Sequence, residues 1–217
     1  MIIAIDGPAG SGKSTVARYI ADKLGFLYVN SGRVYRTVTF LCLEKDLSIS
    51  EEAIFKSIPW NEISIHRDYI AVNLQQLSDE LHHQRIDKLV PRISSFPMIR
   101  KAVNNIIVNT SKNENVVAEG RDMTTVVFPD ADIKVYLDAS IESRAMRRFN
   151  QGISDQTFEE IYKAIEERDQ VDQKKAVGAL RRSTDALYLD TSGLTIEQVC
   201  EKVIKSIQGH KTHQELL

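Results

Sequence analysis

Between positions 7 and 15 the chain reads Gly7-Pro8-Ala9-Gly10-Ser11-Gly12-Lys13-Ser14-Thr15, the spacing G-x-x-x-x-G-K-[ST]. These residue types suit one task, the holding of nucleotide phosphates. Glycines let the backbone turn so that several N–H groups converge on one phosphate, and the start of a helix adds partial positive charge there. Lys13 is then placed to reach the β- and γ-phosphates, and Ser14 to ligate Mg²⁺. All of Gly7 to Thr15 is thus the expected nucleotide site.

Such a loop indicates a ligand class and leaves the reaction open. A GTPase would carry a D-x-x-G switch and an N-K-x-D base-reading motif, and an ATP-driven motor a long apolar strand ending in an acid pair; neither stands here in usable form. The chain supplies arginines instead: Arg33 and Arg36, Arg121, the set Arg144, Arg147 and Arg148, and Arg168. Guanidinium forks match phosphate oxygens bidentately. Positions 144, 147 and 148 share one helix face, so all three groups are expected to project together, where a polyphosphate would relieve their repulsion. The plainer reading of the same spacing is a solvated basic face. Residues 150–155 after them are polar and contain a glycine, as a lid hinge would. None of His66, His82, His83, His210 and His213 pairs with an obvious acid and nucleophile, so they read as surface residues. An acceptor that is itself an anionic phosphate needs no general base, and positioning with charge neutralisation suffices.

Five short apolar runs, residues 2–5, 26–29, 116–118, 133–137 and 186–189, are the expected strands. Their unbroken apolarity predicts parallel strands buried on both faces. Helical stretches are expected at 14–24, 34–43, 98–108, 141–149, 158–168 and 196–207. The alternation indicates a doubly wound α/β fold whose ligands sit beyond the carboxyl ends of the strands. Asp6, Asn30 and Ser31, Glu119, Asp138 and Asp190 stand at those ends. Asp138 and Asp190 read equally well as residues that merely finish strands. Residues 62–74 alternate apolar and polar, as an antiparallel hairpin does. With a polar helical stretch at 78–90, and Pro91 and Pro97 after it, they read as an insertion.

The whole has 217 residues, with 28 Lys and Arg against 30 Asp and Glu, a balance of −2. That composition excludes disordered and collagen-like chains, and its near-neutrality argues against nonspecific binding to nucleic acid. Cys42 and Cys200 form no pair or cluster, so neither disulfide nor zinc site is expected, and both read as buried packing. The first apolar run stops at Asp6, too soon for a signal peptide, and no run nears the roughly 20 residues of a membrane span. The cytoplasm is the expected location.

Three further segments carry a resemblance: Asn30-Ser31-Gly32-Arg33-Val34-Tyr35-Arg36, Phe96-Pro97-Met98-Ile99-Arg100, and Glu119-Gly120-Arg121-Asp122-Met123-Thr124-Thr125-Val126-Val127-Phe128-Pro129. Together with the P-loop and Glu167-Arg168-Asp169 through Asp172, they resemble the bacterial-type cytidylate kinases over nearly the whole length. The resemblance implies a P-loop nucleoside monophosphate kinase of α/β fold: a doubly wound, mainly parallel five-stranded sheet, a lid and a small NMP-binding insertion. It implies a monomeric single kinase domain, with a core at 1–60, 97–148 and 176–208, the insertion at about 61–96, the lid at about 149–175 and a frayed tail at 209–217. The implied reaction is MgATP plus CMP or dCMP giving ADP and CDP or dCDP. ATP would lie on residues 7–15, with Ser14 on the Mg²⁺. Lys13, Arg121, Arg147, Arg148 and Arg168 would act on the transferring phosphoryl group. Ser31, Arg36, Arg100, Arg121, Asp122, Arg168 and Asp172 would hold the acceptor, with Arg100 and Asp122 on the cytosine ring. No nucleic-acid or membrane partner is implied. The chain departs from the family pattern at Asn30, Thr124, Pro91, His82 and Lys175, where Asp, Gly, Ser, Arg and Arg are usual. These departures fall on the acceptor side, and leave a kinase of another monophosphate such as UMP, or a non-catalytic nucleotide-binding regulator, as the other readings.

Overall fold

The computed structural model describes residues 1–152 and 156–214. In chain order the elements are β1 (Ile2–Asp6), α1 (Lys13–Leu24), β2 (Leu27–Asn30), α2 (Ser31–Glu44) and α3 (Glu51–Ser57). There follow β3 (Ile63–Ile65), β4 (Ile70–Val72), β5 (Gln75–Leu77), α4 (Gln84–Ile93) and α5 (Pro97–Thr110). The rest are β6 (Val116–Gly120), β7 (Ile133–Asp138), α6 (Ile141–Asn150), α7 (Phe158–Lys174), β8 (Leu187–Asp190) and α8 (Ile196–Gln214). All five expected strands form, in one five-stranded sheet of order β2-β6-β1-β7-β8. The chain divides into two units, Met1–Phe26 with Val117–Leu217, and Leu27–Val116.

In the first unit β7 runs parallel to both β1 and β8, with Asp6 opposite Tyr136 and Tyr136 opposite Tyr188. Ile3, Ile5, Val117, Ala118, Val135 and Leu137 have no exposed surface. At about 1.5–3 kcal/mol for each large aliphatic buried, these strands anchor the unit. Helix α1 presents Val16, Ala17, Ile20 and Ala21 as one stripe, and Val199, Val203 and Ile207 do the same on α8. Burial on both faces holds for β1 and β6 but not for β7 and β8. Lys134, Tyr136 and Asp138 are half-buried, and Tyr188 and Asp190 are exposed. The reason is position, since β8 closes one edge of the sheet. Helix α8 also continues past the expected end at 207, as far as Gln214, and residues 215–217 lie outside the described residues.

The second unit holds the insertion. The hairpin becomes a three-stranded antiparallel sheet, β3-β4-β5, because Asn73 and Leu74 take left-handed φ of 53° and 67° and turn the chain once more. The stretch expected to be helical at 78–90 begins as a 3-10 turn, Asp79–His82, and α4 starts after it and runs through Pro91 to Ile93. Helix α3 was given by no sequence signal used above. Ser50 caps it, accepting the Ala53 N–H, and Glu51 and Glu52 lie in its first turn.

Helix α7 is six residues longer than expected, ending at Lys174 instead of 168. A capping box between Thr157 and Glu160 starts it, and its buried stripe runs Ile161, Ile165, Asp169, Asp172. Apolar periodicity stops at Ile165, while the buried face continues in carboxylates.

Sheet and phosphate loop meet at Gly7. Its φ is +150°, and a Cβ there would stand 1.9 Å from the Leu137 carbonyl oxygen. A backbone atom in a central strand cannot step aside. Gly7→Ala is expected to lose about 3 kcal/mol or more of stability through overpacking, read as a fall in the urea midpoint; an unchanged midpoint would show that the strands part more easily than this packing implies.

Candidate active site

The P-loop occupies the turn between β1 and α1. Gly10 passes so close to α6 that a Cβ on it would lie 3.1 Å from the Arg144 Cβ. The Lys13 ammonium is folded into the loop, donating to the Pro8 carbonyl at 2.6 Å and to Ser11 Oγ at 3.4 Å. Burial, and then the positive charge of Arg121, lower its pKa to about 7, while Glu119 and Asp6 pull the other way. A polyphosphate beside this amine would restore its charge. Ser14 is exposed at the helix start. Its neutral oxygen fits Mg²⁺, a hard cation that takes oxygen ligands and keeps several waters.

The three arginines of α6 do not act as one face. Arg144 is buried, with Nε donating to the Ala139 carbonyl at 2.9 Å, Nη1 to the Ala9 carbonyl at 3.1 Å, and Nη2 paired to Asp169 at 2.6 Å. It fastens the P-loop to α6 and α7, so the expectation that it faces a polyphosphate is corrected: its donors are committed to the protein. Arg147 donates to the Thr191 carbonyl at 2.5 Å and to Thr191 Oγ1 at 3.1 Å. Arg148 is exposed. The repulsion inferred from their spacing is therefore relieved by protein partners for two of the three.

After β6 comes the Gly120-Arg121-Asp122 turn. Arg121 Nε donates to Asp172 Oδ2 at 2.9 Å. The same carboxylate pairs with Lys175 at 2.9 Å, and Arg168 stands 4.0 Å from it. Burial works to raise the Asp172 pKa, but Arg121, Lys175 and Arg168 outweigh it and hold the carboxyl below the ordinary range. Asp122 is buried, and directly after it Met123–Val127 forms a π-helical turn that the sequence did not indicate. Asp6 accepts from the Met123 and Thr124 N–H groups and from the Thr124 hydroxyl. Glu119 is buried close enough to act on Lys13. Asp138 accepts from Ala139 N and from the Tyr188 hydroxyl, and Asp190 accepts from Ser192 N.

The second unit carries the other expected acceptor residues. Ser31 is buried at the start of α2. Asn30, standing where Asp is usual, still caps that helix by accepting the Arg33 N–H at 3.0 Å. Arg36 donates to the Leu81 carbonyl at 2.9 Å and forms an ion pair with Asp87. Arg100 is buried, with Nη1 on the Ser94 carbonyl at 3.0 Å and its guanidinium 5.8 Å from the centre of the Tyr35 ring. Sequence reasoning missed Asp169, Thr191 and Asp87. Of these only Asp169 stood in a segment singled out above, Glu167 to Asp172, where it had no role assigned and lay one residue past the expected helix end at 168.

Asp172 gives a pH-dependent outcome. Its folded pKa lies below the unfolded value, so its contribution is complete above about pH 4 and is lost as pH falls through the folded value. Asp172→Asn leaves Arg121 and Lys175 without their counter-charge and is expected to cost about 3 kcal/mol at pH 7. Urea unfolding at pH 7 and pH 3 tests this. The gap between the two proteins should narrow at the lower pH, and an equal gap at both would place the effect in packing.

The comparisons with known proteins follow this geometry. The family model for cytidylate kinase matches residues 3–209. The cytidylate kinase of Borrelia hermsii is 39% identical over 217 residues, covering 97% of this chain and 100% of that protein. The cytidylate kinase of Carboxydothermus hydrogenoformans is 38% identical, covering 95% and 97%. In fold the chain is like an uncharacterized protein of Eubacterium ventriosum, with a TM-score of 0.57 at 12% identity over 96% of this chain and 98% of that one. Among the described residues no helix is long and apolar enough to cross a membrane. With a family match across nearly its whole length and relatives this similar, the chain belongs to the cytidylate kinase family.

Proposed function

We propose that this chain transfers the γ-phosphoryl group of ATP to CMP and dCMP, giving CDP and dCDP, as a cytoplasmic monomer. The observation that carries the reading is the conjunction, within one unit, of a buried lysine folded into the P-loop and the Gly120-Arg121-Asp122 turn, whose Arg121 is held by Asp172 at 2.9 Å and whose Asp122 is buried.

On this reading the backbone N–H groups of residues 7–15 hold the ATP phosphates, and Lys13 leaves the Pro8 carbonyl to meet the β- and γ-phosphates. Ser14 would hold Mg²⁺, which when bound neutralises phosphate charge. Arg147, Arg148 and Arg168 balance the charge that develops on the moving phosphoryl group, and Arg121 orients the acceptor phosphate. Ser31 and Arg36 hold the acceptor nucleotide, Arg100 and Asp122 its base, and Arg168 and Asp172 meet its sugar and phosphates. A carboxylate at Asp122 accepts from the exocyclic amine of cytosine. Uracil offers a carbonyl there, and the two acceptors would face each other unpaired. The attacking phosphate is already an anion, so no general base is required.

The test is to mix purified protein with MgATP and each of CMP, dCMP, UMP, AMP and GMP, and to follow ADP and the diphosphate product. CMP- or dCMP-dependent turnover is expected. Turnover with another acceptor would overturn the base assignment, and ATP binding without turnover would overturn the enzyme. Lys13→Ala is expected to lower kcat by about 10²–10³-fold, the scale of a lost transition-state donor. A near-normal rate in that variant would remove Lys13 from the mechanism.

A further inference from the structure

The bond from Arg144 Nη1 to the Ala9 carbonyl, 3.1 Å long, reaches into the P-loop and fixes more than the oxygen it touches. The peptide units of the loop are trans, and in a planar trans unit the C=O and the N–H that follows it point in opposite directions. The next unit along displays this directly. Its Gly10 carbonyl is turned toward Arg147 on α6 at 3.5 Å, and its Ser11 N–H is turned the other way, to the Pro8 carbonyl at 3.4 Å, where the Lys13 ammonium also lies. The Ser11 carbonyl is again met from outside the loop, by the Thr191 hydroxyl at 3.3 Å. With the Ala9 carbonyl held by Arg144, the Gly10 N–H is turned to the side of the lysine, and among the described residues it has no acceptor in the protein.

Arg144 is itself held on two further sides, by the Ala139 carbonyl at 2.9 Å and by Asp169 Oδ2 at 2.6 Å. Asp169 is buried, and its Oδ1 has no hydrogen-bond partner among the described residues, so the carboxylate accepts from Arg144 alone. Its neighbours on α7, Arg168 and Asp172, are the residues proposed above for the acceptor. Asp169 reaches the donor loop instead.

We propose that Arg144, fixed by Asp169, is a positioning residue for the phosphate donor, holding the Ala9 carbonyl so that the Gly10 N–H is aimed at the ATP phosphates. Arg144 touches no substrate on this account and acts through one peptide unit, which rests on the reading that places ATP on residues 7–15. A donor group fixed before the ligand arrives costs no reorganisation when it binds. Asp169, although it lies between Arg168 and Asp172, then serves the donor side.

The experiment measures equilibrium binding of MgATP and of CMP, each alone, to the full chain by isothermal titration, with melting temperatures taken alongside. Arg144→Lys keeps a buried cation for Asp169, but a single ammonium lacks the planar fork that meets two carbonyls and a carboxylate together. Arg144→Met combined with Asp169→Leu removes both charges at once, which a buried pair tolerates better than the loss of one partner, and leaves the Ala9 carbonyl unheld. Both proteins are expected to bind MgATP about tenfold more weakly, the scale of one hydrogen bond to a charged group, with CMP affinity within about twofold of wild type. A residue that merely stabilises the unit would lower the melting temperature without separating the two ligands. Unchanged MgATP affinity in either folded protein, or an equal weakening of MgATP and CMP, would overturn the proposal. Should Arg144→Lys not fold, the double variant carries the comparison. Failure of the underlying reading shows separately, as a wild-type MgATP affinity that Lys13→Ala leaves unchanged.

Discussion

A charge removed from water must find its partners within the protein, and the loops of the first unit are shaped by that requirement. Arg144 is the central case. The residue is 3% exposed, and its guanidinium meets two backbone carbonyls and one carboxylate supplied by the P-loop, by the residue after β7 and by α7. Loss of Asp169 would take the counter-charge from a buried guanidinium, and loss of either carbonyl would leave a buried N–H donor unmet, so the three segments are held in one arrangement. Asp172 does the same with Arg121 and Lys175, and Asp6 with the π-helical turn. Apolar packing builds the strands and helices, and paired buried charges set where the loops between them lie.

This division explains how much of the fold was legible. The strands of the main sheet are apolar runs, and unbroken apolarity marked all five of them. The starts of α2 and α7 follow from local capping by Asn30 and Thr157. The features that were not legible depend on partners distant in sequence. Helix α7 outran its apolar pattern because Asp169 and Asp172 continue its buried face, which hydrophobicity alone reads as solvent-facing. The alternation of β7 and β8 follows from their place toward the sheet edge. The third strand of the insertion depends on Leu74 taking a left-handed φ that its type disfavours.

The same contrast runs through the site. The phosphate loop could be read outright, since its chemistry lies in contiguous residues and in backbone N–H groups. The arginines could be listed but not sorted. Helical spacing places 144, 147 and 148 on one face and says nothing of which will be taken by a carbonyl at Ala9 or Thr191. Asp6 and Asp138 look alike as acids ending strands. They differ because Asp6 lies fully buried against the turn after β6, whereas Asp138 accepts from its neighbour and from the Tyr188 hydroxyl.

The donor and acceptor sides also differ in how they absorb substitution. A phosphate cradle made of backbone donors around one lysine constrains glycine positions by space, and Gly7 and Gly10 have none to give. The residues proposed for the acceptor are instead held in side-chain pairs, in which a changed residue needs only to satisfy the same partner. Asn30 accepts the N–H that an Asp would accept, with Tyr28 meeting its amide at 3.0 Å. Lys175 meets Asp172 at 2.9 Å, where an Arg would offer the same charge. Thr124 goes further by adding a donor to a carboxylate that already has two backbone N–H partners. At Asn30, Lys175 and Thr124 the departure from the family pattern keeps its partner met, while the P-loop, crowded at Gly7 and Gly10, keeps its glycine spacing in full.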